Sequence, residues 1–363
     1  MINLAYITRV GIPSLAAQSV QIKSMSIAFN DVVDKFILIS PSTSENSSLQ
    51  ESFLWRRIPC IFSGGKALYI EFILKACIEI IKIKPRFIYT RDIGIAAIGV
   101  LLGIKTIYES HKQPFKVAHL IIKILANSSL FSIVTISKSL ENYINSKFNL
   151  KDGHLYSCHD GVFMEKYDSL RLQDKQQLKL QLKLPLGLLV MHTGSLYSGR
   201  GADLFLAIID SFPNLTFVQV GGRVKDIRKW KEEYKSYNNI IFINHQDNDT
   251  LVKYQMCADL LFYPLTYEVP TWWCCSPMKI FEYMATGNPI LASNIGSVGE
   301  VLDKSNAVIF NVNDVSTIID GVNFYLNNPL KCKNMSLKSL KSVKTIHNWD
   351  KRALKISNFF NIT

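Results

Sequence analysis

Residues Ser276–Ser293 read SPMKIFEYMATGNPILAS, a very short helix running straight into a buried strand. Ser276 suits a helix N-cap and Pro277 a first turn. Gly287 suits the stop, and Asn288-Pro289 the turn that follows. Ile290 to Ser293 then reads as a strand buried on both faces, the mark of a parallel α/β sheet. One residue is out of place. Glu282 lies mid-helix among Ile280, Phe281, Tyr283 and Met284, and a buried carboxylate is costly unless it is paired or liganded. It either pairs with Lys279, three residues back on the same helix face, or it faces a cleft, where a carboxylate can accept two hydrogen bonds from a vicinal diol.

Outward from this stretch the same alternation recurs. Toward the N-terminus come the strand NLAYITRV, a helix from about Ala16 to Phe29, and the strand FILIS. The strand IKPRFIYTRD, a helix over Ile93–Leu102 and the strand KTIYESH ending in His111 follow. SIVTISKSLENYINSKF gives a strand, a serine cap and a helix. A polar stretch, Ser169–Leu184, precedes a second series: LLVMHTGSL, GADLFLAIIDSF, LTFVQVGG, a charged helix from about Lys225 to Tyr237, IIFIN, DTLVKYQMCA, DLLFYP, the quoted stretch and AVIFNV. Strands alternating with helices predict two Rossmann-like, doubly wound α/β domains. Such domains bind ligands at the carboxyl ends of their strands, so two of them facing each other would form a cleft. A length of 363 residues fits two domains.

With 48% hydrophobic and 19% charged residues the chain can bury large cores. Its net charge is +12, of which Lys331–Thr363 carries +7, with eight Lys/Arg against one Asp. That segment is a solvated helix face or a contact for an anionic surface such as phospholipid headgroups. Nucleic acid is not expected as a partner, since no zinc-finger, helix-turn-helix or RNA-recognition pattern occurs. The seven cysteines show no CxxC spacing, and adjacent Cys274 and Cys275 are poorly placed for a mutual disulfide. This predicts a reducing compartment. MINLAYITRV is not built like a signal peptide, and the longest apolar run, Ile93–Ile104, has 12 residues against the roughly 20 a membrane span needs. A cytoplasmic protein, at most peripheral on the inner face of the membrane, is expected.

Several motifs could carry chemistry. In HTGSLYSGRGADL, His192–Leu204, Gly194 and Gly201 let backbone approach a ligand, a helix start offers N–H groups to an anion, and Arg200 could grip a diphosphate. The plain alternative is a tight turn with a solvated arginine. Gly11 follows the first strand without a GxGxxG pattern. SGGK, Ser63–Lys66, lacks the remainder of a phosphate loop and reads as a loop. DND, Asp247–Asp249, resembles a metal-binding pair but suits a helix cap, with Asp249 as the capping residue. No metal site is expected. His111 ends a strand, at the edge where α/β proteins place chemistry.

Taken together, GSLYSGRGADLFL, VGG, ADLLFYP, SPMKIFEYMATGNPILASNIGSVGEVL and the earlier IYTRD, ISKSLENYI and DGV resemble, in order, the retaining glycosyltransferases of family 4. That resemblance covers nearly the whole chain and implies the GT-B fold, two Rossmann-like domains facing across a cleft. Residues 1–168 would form the acceptor domain, with a C-terminal helix of about 346–363 packing back on it. Residues 169–345 would form the nucleotide-sugar domain. Arg200 matches the family's cation on the diphosphate, and Glu282 the second glutamate of its E-x7-E motif, on the ribose. His111 matches a histidine that approaches the donor sugar; these three would be the catalytic residues. Gly11, Gly194, Ser195 and Gly222 would line the donor site, with Cys274, Cys275, Ser276, Pro277 and Met278 where the E-x7-E loop meets the phosphates. Two departures stand out: the first glutamate of E-x7-E is Cys274, with Glu268 as a conceivable substitute, and the basic residue that often follows Gly194 is Ser195.

The implied reaction is front-face glycosyl transfer with retention, from a UDP-, GDP- or dTDP-linked sugar to a glycan or lipid-linked acceptor. It would need no cofactor or metal, and it would serve bacterial surface polysaccharide biosynthesis, lipopolysaccharide included, with an anionic membrane surface as a further partner. The rivals are a nucleotide-sugar epimerase on the same fold and a glycosyltransferase-like protein that binds nucleotide without turnover.

Overall fold

A computed structural model describes residues 2–14, 17–43, 50–62, 64–196 and 199–362. Ala16, Ser63, Tyr197 and Ser198, which the sequence places in a helix and two loops, lie outside the described residues. The chain divides into two units: Met1–Asp160 with Trp349–Thr363, and Gly161–Asn348.

Unit 1 runs β1 (Leu4–Ile7), α1 (Ala17–Val32), β2 (Phe36–Pro41), β3 (Leu54–Ile58), α2 (Gly65–Ile83), β4 (Phe87–Thr90), α3 (Ile93–Leu101), β5 (Lys105–Ser110), α4 (Lys116–Leu125), β6 (Phe131–Thr135), α5 (Lys138–Lys147) and β7 (Leu155–Ser157). The strands form one parallel sheet in the order β3-β2-β1-β4-β5-β6-β7. β1, β2, β4 and β6 are buried along their whole length, as strands covered on both faces must be. From β1 the chain steps one way to β2, and from β3 onward it steps the other way to β7. Right-handed crossovers therefore place α1 on one face of the sheet and α2, α3, α4 and α5 on the other. α2 packs on α3, and α3 on α4.

Unit 2 runs α6 (Glu165–Arg171), α7 (Lys175–Gln181), β8 (Leu189–Thr193), α8 (Ala202–Leu206), β9 (Thr216–Val220), α9 (Val224–Glu233), β10 (Ile240–Ile243), α10 (Asn248–Cys257), β11 (Leu260–Tyr263), α11 (Met278–Thr286), β12 (Ile290–Ser293), β13 (Val308–Phe310), α12 (Val315–Asn327) and α13 (Pro329–Thr345). Its parallel sheet has the order β10-β9-β8-β11-β12-β13. The chain then returns to unit 1 as α14 (Trp349–Phe360), which packs against α1.

The quoted stretch is α11 followed directly by β12, as expected, and Gly287 closes the helix at φ 70°, a conformation that only glycine adopts without strain. The start differs. Pro277, extended at ψ 115°, is the N-cap, so Ser276 stands outside the helix. Asp247, not Asp249, caps α10, accepting from Thr250 N at 2.9 Å. The helix expected over Gly201–Phe212 has five residues and ends in a 3-10 turn at Ile209–Ser211. The polar stretch before β8 is two short helices, split where Asp174 caps the second. SGGK is not wholly loop, because α2 begins at Gly65.

All seven cysteines are free. Among the described residues, no helix is long and apolar enough to cross a membrane.

Candidate active site

In unit 2 the loops at the carboxyl ends of β8 and β9 are tied together from below. Buried Gln219, on β9, donates through Nε2 to the carbonyls of Gly194 (3.0 Å), Val220 (3.3 Å) and Gly221 (3.3 Å). Its own Oε1 faces His192 Nδ1 at 2.6 Å, so that nitrogen carries the imidazole proton. Burial, followed by nearby Lys279, pushes His192 down to about 3. The imidazole is neutral and acts as a brace.

Gly194 holds φ +144°, and a Cβ there would lie 2.0 Å from Lys279 Nζ. The missing side chain is therefore what admits the Lys279 ammonium onto the loop backbone. Burial, with Arg200 adding to it, pulls Lys279 down to about 8, and Glu282 opposes. The sequence suggested an ion pair between Lys279 and Glu282. Instead, Glu282 Oε2 accepts from Gln255 Nε2 at 2.8 Å, Gln255 Oε1 accepts from buried Tyr167 at 3.0 Å, and no salt bridge joins Glu282 to Lys279 among the described residues. The other carboxylate oxygen, Oε1, carries no hydrogen bond among the described residues. Burial raises Glu282; Gln255 and Lys279 act the other way. Tyr283, the next residue, anchors α11 beneath β8 by accepting from Thr193 N at 2.9 Å.

The other expected donor residues are distributed unevenly. Ser195 is half-buried in the loop after β8, and Arg200 is exposed further along it. Gly222 follows β9, and a Cβ there would lie 3.0 Å from Leu196 Cδ1. Ser276 is buried and Pro277 and Met278 are half-buried at the start of α11, where the first N–H groups lack intrahelical acceptors. Cys275 is half-buried with its carbonyl accepting from Ser297. Cys274 is wholly buried, so the first E-x7-E position presents no side chain to solvent. Exposed Glu268 lies on the loop that packs on Gly199, whose Cβ would be 3.1 Å from that of Glu268.

In unit 1, Gly11 lines a cavity of about 810 Å³ with Arg9, Ser14, Thr43, Lys66 and Tyr69. His111 lines a smaller one, about 190 Å³, which shares Arg9, Val10 and Gln18 with the first. His111 Nε2 lies 3.2 Å from Glu109 Oε2 and 3.3 Å from Gln21 Nε2. Gln21 in turn donates to Asp160 at 2.8 Å and accepts from Arg91. Beneath this, Glu109 Oε1 takes Arg352 Nη2 at 2.6 Å. Arg352, on α14, also donates through Nε to the His159 carbonyl at 2.9 Å. The C-terminal basic run was expected to face outward, yet Arg352 is fully buried, because it balances a buried carboxylate. Leu354 and Phe359, on the same helix, are partly exposed. Burial alone would raise Glu109, but Arg352, His111 and Arg91 outweigh it and hold the carboxyl well below its ordinary value. Burial and Arg91 lower His111 against the pull of Glu109. Gln219, Gln255, Tyr167 and Arg352 gave no signal in the sequence as functional residues. Only the depth of burial of polar side chains reveals them.

Residues 175–341 match the family described as "Glycosyl transferases group 1". The "Spore coat protein SA" of Bacillus subtilis is 22% identical over 247 residues, covering 62% of this chain and 63% of that relative's length. Among solved structures, the sucrose-phosphate synthase of Thermosynechococcus elongatus superposes with a TM-score of 0.79 at 16% identity, covering 99% of this chain and 98% of the other. Anabaena Alr3699/HepE in complex with UDP superposes with a TM-score of 0.78 at 14% identity over the full length of both chains. The fold is thus GT-B, two parallel-sheet Rossmann-like domains.

Proposed function

We propose that the protein is a retaining glycosyltransferase that moves a sugar from a nucleotide-diphosphate sugar to a glycan or lipid-linked acceptor, in bacterial surface polysaccharide biosynthesis. One observation carries the reading: Glu282, with one free carboxylate oxygen, and Lys279, seated on the Gly194 backbone, occur together on the first turns of α11. A carboxylate for a ribose diol and a cation for a diphosphate are what a nucleoside diphosphate requires. As the donor C1–O bond breaks, negative charge grows on the leaving diphosphate, and Arg200, Lys279 and the first N–H groups of α11 would stabilise it. In this reading Lys279 supplies the second cation that the family often carries at the position of Ser195. In this reading the growing charge is met by these cations, without a metal. UDP is the first nucleotide to test, because it is bound in the Anabaena protein.

The experiment is a thermal-shift screen of UDP, GDP, dTDP and their sugars, followed by turnover with acceptors in EDTA. A true donor raises the melting temperature by mass action, and turnover is expected to survive chelation. Product formed from donor alone would mean epimerisation; tight nucleotide binding without turnover would mean lost chemistry. Glu282→Gln is expected to weaken nucleotide binding about tenfold or more, since hydrogen bonds to charged groups contribute about 1.5–3 kcal/mol, while Gln255 can still donate to the new side chain. A Gln variant that is less stable yet binds nucleotide normally would return Glu282 to a structural role.

Lys279 gives a pH signature. Its pKa of about 8 means that nucleoside diphosphate affinity should be flat below that value and fall as the pH rises through it. Lys279→Met is expected to abolish this pH dependence and to weaken the diphosphate about tenfold while sparing the nucleoside. Calorimetric titrations of UDP and uridine across pH check it; equal losses for both ligands would remove Lys279 from the phosphates.

A further inference from the structure

Helices α2 and α4 are built inside out. On α2, Phe72, Ala76 and Ile80 are fully buried against the sheet. Two residues away in each turn, on the opposite side of the helix, Ile70, Leu74 and Ile78 are exposed, as is Ile81. On α4, Ile122 and Leu125 face inward, while Val117, Leu120 and Ile124, spaced three and four apart, are 71%, 59% and 67% exposed, and Phe115 just before them is 69% exposed. Between the two helices the end of α3 exposes Leu101. All three belong to the one layer that covers the same face of the unit 1 sheet, so these side chains point away from the sheet together. Scattered exposed aliphatics are ordinary, but a contiguous patch of this kind marks an interaction site.

The charge around the patch says what covers it. From Ile93 to Leu140 the sole carboxylate is Glu109, which is buried in unit 1 beneath His111. Lys116 and Lys123, on α4 itself, are exposed and pair with no carboxylate among the described residues. The two glutamates of α2 are neutralised: Glu71 by Lys75 and the amides of Ile61 and Phe62, Glu79 by Arg56 and Lys82. An apolar face flanked on α4 by two unpaired lysines and elsewhere by neutralised charges fits a bilayer, whose acyl boundary takes the aliphatics while anionic headgroups meet the ammonium groups.

The geometry points to the outer face of α2, α3 and α4 as the surface by which the protein docks on an anionic phospholipid membrane. This stands independently of the donor chemistry. It also differs from the contact that the sequence offered as one of two readings, the C-terminal basic run, which turns Arg352 inward.

The test is flotation of the full chain with vesicles of phosphatidylcholine alone or equimolar phosphatidylcholine and phosphatidylglycerol, at low and high salt. Binding is expected with phosphatidylglycerol and should weaken at high salt. The double variant Leu120→Ser/Ile124→Ser is expected to lower partitioning about tenfold or more with an unchanged melting temperature. Lys116→Glu/Lys123→Glu should lower it as well, without touching an apolar side chain. Lys351→Ala/Lys355→Ala, on α14, should bind like the unaltered chain. Absence of binding to either vesicle, or binding lost only in the α14 variant, overturns the proposal. Light scattering adds one more outcome: a dimer that Leu120→Ser/Ile124→Ser dissociates would show that a second copy covers the face, which also overturns it.

Discussion

Arg352→Met is expected to destabilise the protein by about 3–5 kcal/mol at neutral pH, because it leaves Glu109 charged and buried without its main partner. The pair is 2.6 Å apart and both side chains are almost wholly shielded from solvent, at 1% and 0% exposure. The sign of the pH dependence follows from the depressed carboxyl. In the intact protein Glu109 contributes stability that is fully present above its ordinary value of 4.5 and is lost as the pH falls through its lower folded value. In the methionine variant burial dominates and raises the carboxyl, so acid relieves the defect. Urea unfolding at neutral pH and near pH 4.5 should therefore show a large gap between the two proteins that narrows on acidification. A gap that stays constant with pH would mean that the loss comes from the packing of the arginine stem and not from its charge.

His111→Ala is expected to lower turnover about a hundredfold, the scale for removing one polar group aimed at developing charge, with nucleotide affinity unchanged. Glu109 and Gln21 fix the Nε2 edge of the ring, which leaves Nδ1 as the nitrogen available to a ligand in the small cavity that His111 lines. Because the side chains proposed to hold the nucleotide, Glu282 and Lys279, belong to unit 2, the two measurements separate. Turnover like that of the unaltered protein would make His111 a structural partner of Glu109 only. Because His111 sits on Glu109 and Glu109 on Arg352, Arg352→Met should also slow turnover in whatever fraction remains folded.

Much of this architecture was legible in the sequence where period and punctuation agreed. Ile290–Ser293 is an unbroken apolar strand preceded by Gly287, and the helix before it ends where the glycine says it should. The elements that escaped are those whose patterns mislead. β3, LWRRI, is an edge strand with two arginines. α2 and α4 carry apolar residues on their outward as well as their inward side, which leaves most of their charged residues only a narrow stripe, Glu71, Lys75, Glu79 and Lys82 on α2 and Lys116 and Lys123 on α4. β7 is three residues long. The residues proposed for the donor site were legible in part: Glu282 as a misplaced charge, and Arg200 and Gly194 from a loop pattern. Lys279 was read as a mere counter-ion because sequence spacing cannot show that a glycine 85 positions earlier opens the space for its ammonium. The burial of Cys274 and Arg352 was invisible for the same reason, since both are decided by packing between distant segments.

The return of α14 to unit 1 has a consequence for how the protein is made. Unit 2, Gly161–Asn348, is one unbroken stretch and has all its residues as soon as they leave the ribosome. Unit 1 does not. Glu109 emerges 243 residues ahead of Arg352, a lag of roughly 10–50 s at ordinary elongation rates. Through that interval Glu109 has His111 and Arg91 beside it but lacks its main partner, so the half synthesised first is the half completed last.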